Sequence, residues 1–326
     1  MLAVEIFTTR QNPAIDPSLA IWNWEIPVYL FLGGLVAGLL VVGALMELYW
    51  PERWERRLSR ASAGLGIALL SLGMVALFLD LANKIHVYRF YLAFRPTSPM
   101  SWGAWILLVA YPAMALWLLA SLDAEWLDEA LRKRFPWPRL GARFASWLGR
   151  GQGFVERHRR RVLYVTASVG VGLGIYTGVL LQTLVARPLW NSALLGPLFL
   201  ASGVSAGAAF LLLIAKSDAA KAMLLRWDIA ALSIELVLLG LFLVDRMSGA
   251  QSERAAVSLL TSGPYTGAFF GLVLLLGILV PLWLERRELS GAAHSRFMVP
   301  ALVLLGGIAL RTILVAAGQT SITGLF

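Results

Sequence analysis

The chain has 326 residues, 59% of them hydrophobic and only 14% charged, with a mean hydropathy of +0.73; this balance excludes a soluble domain and identifies a polytopic membrane protein. The formal net charge of +9 could suit nucleic acid, but the excess lies in loops on one side of the membrane, where anionic headgroups attract it, so no nucleic-acid partner is expected. Cysteine is absent, which excludes disulfides, thiolate metal sites and any iron-sulfur cluster held by this chain.

Before the first apolar run, Gln11 to Glu25 lack a basic n-region, and the run itself is too long for a cleavable signal peptide. Eight stretches then follow that are long and apolar enough to cross a bilayer, at about 26–50, 60–82, 99–121, 161–187, 192–216, 226–247, 263–284 and 297–318. The loops after the first, third, fifth and seventh stretches carry four, ten, three and three of the 28 Lys and Arg residues, against seven on the other side. That bias predicts both termini on the outer side of a bacterial or archaeal cytoplasmic membrane.

The expected architecture is all-α, eight transmembrane helices arranged as two four-helix bundles. Residues 1–121 supply three helices and the outer loops; 122–160 form a basic amphipathic cytoplasmic loop; 161–187 complete the first bundle; and 188–326 form the second. The two halves carry similar marks in the same order. Leu30 to Gly34 with Ala37-Gly38 matches Leu198 to Ser202 with Ala206-Gly207, and Phe78-Leu79-Asp80 matches Phe242 to Asp245. Pro99 and Gly103-Ala104-Trp105 match Pro264 and Gly267-Ala268-Phe269, and Gln182 matches Gln319. These matches suggest a parallel internal repeat. Small residues such as Gly33, Gly34, Gly38, Gly203 and Gly207 suit close helix packing, because lipid provides no hydrophobic drive for association. In the 122–160 loop, Arg132-Lys133-Arg134 and the bases around His158 alternate with Trp126, Trp137 and Trp147, as in helices lying on headgroups.

An ionisable group inside a span costs about 2.5 to 3.5 kcal/mol on insertion scales unless it is paired or hydrated. Asp80 and Asp245 lie at the outer ends of the second and sixth spans, and Arg311 in the outer third of the eighth. An ion pair between Arg311 and one aspartate would lock the bundles together; the alternative is an outer cavity with a protonatable group. Glu235, near the middle of the sixth span, and Glu47, near the inner end of the first, could serve a proton path with Asp245 and Arg311, or make structural hydrogen bonds. None of the three histidines, His86, His158 and His294, falls inside a span, so no helix pair offers bis-histidine haem ligation.

The densest constellation flanks the outer ends of the first three spans. Trp22-Asn23-Trp24-Glu25 leads to Tyr29, placing an acid and a phenol four residues apart on one helical face. The second loop joins Asp80, Lys84, His86, Tyr88, Arg89 and Tyr91, and Ser98-Pro99-Met100-Ser101-Trp102-Gly103 follows. A flat apolar ring with two carbonyl oxygens suits such surroundings: aromatics cover its faces, Tyr, His or Lys donates to the oxygens, and carboxylates relay the two protons moved by quinone chemistry.

These pieces resemble the membrane subunits of polysulfide reductase type, the NrfD-like family. The resemblance rests on Trp24 to Gly38, on Leu79-Asp80-Leu81 with Lys84 and Arg89, on Ser98 to Gly103, on Tyr176-Thr177-Gly178 and on Ala316-Ala317-Gly318-Gln319, which together span all eight helices. It implies a haem-free anchor that binds menaquinone or ubiquinone and exchanges electrons with a four-cluster, ferredoxin-like iron-sulfur subunit beside a molybdopterin catalytic subunit. It further implies that Trp24, Glu25, Tyr29, Lys84, Arg89 and Tyr176 surround the quinone, with Glu25 and Asp80 as proton relays. Tyr29 stands where one family member has a histidine donor, and His86 departs from the family's aromatic and is not counted as a ligand. A redox-silent anchor or proton-conducting subunit is the alternative. A secondary transporter is disfavoured, because Glu235 is nearly alone at midplane depth.

Overall fold

The computed structural model describes residues 22–81, 83–92, 94–123, 138–290 and 297–321, with the backbone alone over 138–147. Among the described residues the fold is all-α, and eight helices are long and apolar enough to cross a membrane. We number these α1 (Glu25–Tyr49), α2 (Arg56–Asp80), α3 (Pro99–Ser121), α4 (Arg159–Gln182), α5 (Leu195–Ile214), α6 (Asp218–Ser248), α7 (Thr266–Leu289) and α8 (Met298–Thr320). This is an integral multi-pass membrane protein.

Helices α1 to α4 pack on one another, as do α5 to α8, and α1 and α5 form the seam between the two sets. These two are the most enclosed: 78% of the apolar stretch of α1 and 67% of that of α5 are buried, against 33% for α2 and α6, whose remaining surface is apolar and free to meet lipid. Small residues account for the seam. A Cβ built on Gly38 would overlap the carbonyl of Gly203, and one on Gly207 would overlap the backbone of Gly38. Gly34 lies against Gly203 in the same way, so the contacts advance together along both helices and the two run parallel. The internal repeat itself stays an expectation drawn from the matched marks of the two halves.

Both ends of the molecule are tied by polar groups. At one end, Glu55, in the turn between α1 and α2, accepts from the backbone N–H groups of Lys216 (3.0 Å) and Ser217 (2.6 Å) just ahead of α6. At the other, Trp22 N–H donates to Gln319 Oε1 and Gln319 Nε2 donates back to the Trp22 carbonyl, each at 2.8 Å. The Trp22 ring stacks on Trp190, whose indole N–H reaches the Leu314 carbonyl.

The elements depart from the sequence expectation in three places. Helix α6 begins eight residues early, at Asp218, because the Ser217 hydroxyl caps it by accepting from Ala220 N–H. The span α7 contains a π-helical stretch, Phe269–Leu279, next to the contact between Gly277 and Gly306 of α8. Additional helices occupy two of the loops, Pro138–Arg157 and Gln251–Thr261. The first of these carries the second part of the basic loop; Arg132 to Arg134, Trp126 and Trp137 lie outside the described residues, as does His294.

Candidate functional site

Two connected cavities open at the outer-loop end of α1 to α4. The larger, about 490 Å³, is lined by Asn83, His86, Arg89, Arg95, Ser98 and Ser101, with Leu81, Phe90 and Met100 as its apolar floor. Those three floor residues also border a narrower slot of about 70 Å³ that penetrates between the helices. Its walls are Tyr29, Met74, Leu77, Phe78, Val87, Tyr91, Gly103, Ala104, Leu107 and Tyr176. A polar vestibule therefore leads into an apolar slot edged by three phenols.

The local sequence explains this shape. Pro99 opens α3, since its missing N–H would be unpaired in the first turn anyway. The Ser101 hydroxyl accepts from Arg95 N–H at 3.0 Å, and the Trp102 indole donates to the Pro96 carbonyl at 2.8 Å, which folds the preceding loop back over the helix start. Phe94 meets Trp102 and Trp105 edge-on at 5.5 and 5.3 Å. Gly103 must be glycine: a Cβ there would overlap the Tyr176 ring, so its absence lets that ring reach the slot from α4. Each residue from Pro99 to Gly103 thus either builds the vestibule or clears the slot.

Tyr29 is buried to 3% exposure and Tyr176 to 8%, yet among the described residues neither hydroxyl has a hydrogen-bond partner, and both line the slot. Tyr91 sits outside the spans on the short helix Arg89–Leu92; burial, and then Tyr111 beside it, push its phenol up from the ordinary value, so it keeps its proton and stays a donor. Three neutral donors facing an apolar slot can hold a ligand that brings carbonyl acceptors on a flat apolar body.

The other expected site residues fall around this centre. Glu25 is the first residue of α1, where a carboxylate complements the helix N-terminus; its Oε2 is buried with no hydrogen-bond partner, and its charge acts on Asp80, the last residue of α2. Arg89 lines the vestibule, and so does His86. Lys84 is exposed and Trp24 is 58% exposed; neither is among the described lining residues. Sequence reasoning passed over Arg95, Met100 and Gly103 as site residues, although all three fall within or beside the motif that carried the resemblance.

The remaining candidates lie elsewhere. Glu47 is held by Ser59, by the Trp117 indole at 2.9 Å and by Arg159 at 2.7 Å. Arg311 meets neither Asp80 nor Asp245, which corrects the ion pair expected from the sequence. It donates to Ser202 Oγ at 2.6 Å and to the carbonyls of Gly307 and Phe199, and lies over the Phe199 ring, with Glu235 as its charge partner through Ser202. Asp245 instead accepts from Ser192 at 2.6 Å and pairs with Arg246 at 2.9 Å. The reason is depth: Arg311 lies against Gly34 at the α1–α5 seam, which gives its long side chain room inward, whereas Asp245 has a nearer cation beside it on its own helix.

Comparison with known proteins agrees with this placement. The family model described as polysulphide reductase, NrfD, matches residues 12–323. The chain belongs to the NrfD family. It is 29% identical to a component chain of the polysulfide reductase of Wolinella succinogenes, over 92% of this chain and 95% of that protein. To protein NrfD of Escherichia coli it is 30% identical, over 96% of this chain and 99% of the other. A more distant NrfD relative, a subunit of the tetrathionate reductase of Salmonella typhimurium, matches 63% of the chain at 24% identity.

Proposed function

We propose that this NrfD-family chain is the haem-free membrane subunit of a reductase complex and binds quinone or quinol in the slot between Tyr29, Tyr91 and Tyr176. The observation that carries this reading is the pairing of an apolar slot, edged by unpartnered phenols, with a basic vestibule. The donor set fits a quinone: Tyr29 and Tyr176 would hydrogen-bond its carbonyl oxygens, Phe78, Phe90 and Met100 would cover its ring faces, and Leu77 and Leu107 would keep water from it. A bound quinone would supply two-electron, two-proton chemistry. The chain's own part is to orient the ring and to manage protons, with Glu25 and Asp80 as the carboxyls nearest the outer end and Arg89 and Arg95 balancing their charge. Lys84 and Trp24, on the exposed rim, suit contact with a partner.

The relatives named as parts of polysulfide and tetrathionate reductases support a multi-subunit assembly. A four-cluster iron-sulfur subunit docked over the vestibule, beside a molybdopterin catalytic subunit, would bring an electron acceptor within reach of the slot. The charge bias of the loops puts that face outside the cytoplasmic membrane, with both termini there too. A redox-silent anchor is the alternative, and two phenols buried without hydrogen-bond partners weigh against it, since a merely structural core would satisfy them.

The test is quenching of tryptophan fluorescence by a quinol analogue, using the purified chain with its iron-sulfur partner. Saturable quenching is expected, about tenfold weaker in Tyr29→Phe and Tyr176→Phe, as the loss of one net hydrogen bond of about 1 to 1.5 kcal/mol requires. Unsaturable quenching in the native complex would leave the anchor reading.

A further inference from the structure

The second set of helices encloses an acid pair for which the quinone reading has no use. Asp228 of α6 and Glu285 of α7 are both fully buried, and their carboxyl groups lie within hydrogen-bonding reach of each other. The Ser205 hydroxyl of α5 donates to Asp228 Oδ1 at 2.5 Å. With both acids ionised, however, Asp228 Oδ2 and both Glu285 oxygens have no donor at all.

The surroundings offer no cation to relieve this. Helix α5 carries no ionisable residue, and α8 contributes only Arg311, which is engaged with Ser202 and Glu235. On α6, Glu235 lies seven residues from Asp228, two turns along the same face, and adds negative charge. On α7, Glu288 does the same to Glu285, while Arg286 and Arg287 are exposed, with Arg287 over the Trp283 ring. Two carboxylates in contact inside a protein core, away from water and with one donor between them, cannot both stay ionised. A proton on either one turns the contact into a hydrogen bond and satisfies the orphaned oxygens.

We propose that Asp228 and Glu285 share one proton and form an exchangeable proton-binding site inside α5 to α8, one residue from the exposed Arg286 end of α7. Glu235, Ser202 and Arg311 lie further along the same interior, so a proton released from the pair has polar groups ahead of it rather than hydrocarbon. A bound sodium ion is disfavoured: the cluster offers two carboxyls and one hydroxyl, and the neighbouring backbone carbonyls are committed to helix hydrogen bonds. The proposal is independent of quinone binding, so the fluorescence titration can fail while this site stands.

Two readouts test it on the full chain in lipid nanodiscs. Infrared spectroscopy should show the carbonyl stretch of a protonated, non-aqueous carboxylic acid at neutral pH, lost in Glu285→Gln and restored in Glu285→Asp. Dicyclohexylcarbodiimide, which reacts with protonated carboxyls in apolar surroundings, should label Glu285 or Asp228 by peptide mass spectrometry, with labelling falling on the order of tenfold per pH unit once the pair ionises. Should Glu285→Gln not fold, Ser205→Ala removes the single donor and should move the pH at which the infrared band disappears. A native chain without that band, a band indifferent to these substitutions, or labelling blocked by sodium at constant pH would each overturn the proposal.

Discussion

The two halves of this membrane protein treat buried polar groups in opposite ways. At the outer-loop end of α1 to α4, Tyr29 and Tyr176 are almost fully buried but face open space and bind nothing within the chain. Within α5 to α8, Arg311, Glu235, Asp228 and Glu285 are equally buried but press against one another and against the serines of α5. Phenols without partners cost little when a cavity admits a ligand or water, whereas ions in a packed, lipid-surrounded core persist only as a mutually compensated set. The difference separates a place built to receive a molecule from a place built to hold charge.

The comparison breaks first at Arg311. Replacing it with Met should leave Glu235 without its cation and destabilise the protein by about 3 to 5 kcal/mol, read as a large fall in Tm in detergent. Adding Glu235→Gln should recover much of that loss, because the stranded charge is then gone. If Arg311→Met unfolds at the native temperature, the second set is not a compensated network.

Removal of a slot phenol should do the reverse. Tyr29→Phe should change stability by no more than about 0.5 kcal/mol while weakening quinol-analogue binding. A Tm drop comparable with that of Arg311→Met would mean that the phenol is structural.

The smallest effect lies in the link between the halves. Burial alone would raise the Glu55 carboxyl, but the N–H groups of Ser217 and Lys216 outweigh it and hold the group below the usual carboxylate range. Its contribution is therefore present above the unfolded-state value and is lost as pH falls through the lower folded value. Glu55 is half-exposed and screened by water, so Glu55→Gln should cost only about 0.5 kcal/mol at neutral pH. The Tm gap between native and variant should close as the medium is acidified below pH ~4; a gap constant over that range would show that the contact is not electrostatic.

Helix number and extent were legible in the sequence because hydropathy reports the one property that lipid enforces. All eight spans appear within a few residues of their expected positions, apart from the cap-driven early start of α6 at Asp218. The outer-end site was legible in part: Tyr29, Arg89 and Tyr176 line its cavities, and the Ser98 to Gly103 motif builds them. Lys84 was grouped with them by nearness in sequence, but the turn at Lys84–His86 leaves it exposed. Partner choice in the second half was harder to read. Pairing Arg311 with an aspartate ranked charges by type and depth, whereas the packing around Gly34 and Ser202 decided the outcome. Glu285 escaped notice because its hydropathy window ended one residue before it, although its burial depends on α5 and α6, which no local window contains.

The enclosure of α1 has a consequence for how the protein is assembled. The helix inserted first is the one whose surface is covered last: Gly34 and Gly38 wait for α5, and the face toward α8 waits for the final span. Trp22 likewise gains Gln319 as its partner only after almost the whole chain has been made. Such long-range closure makes the early intermediate in the bilayer a set of four helices with an exposed seam of small residues. That surface invites mispairing, so membrane chaperones or the translocon should hold it until synthesis is nearly complete.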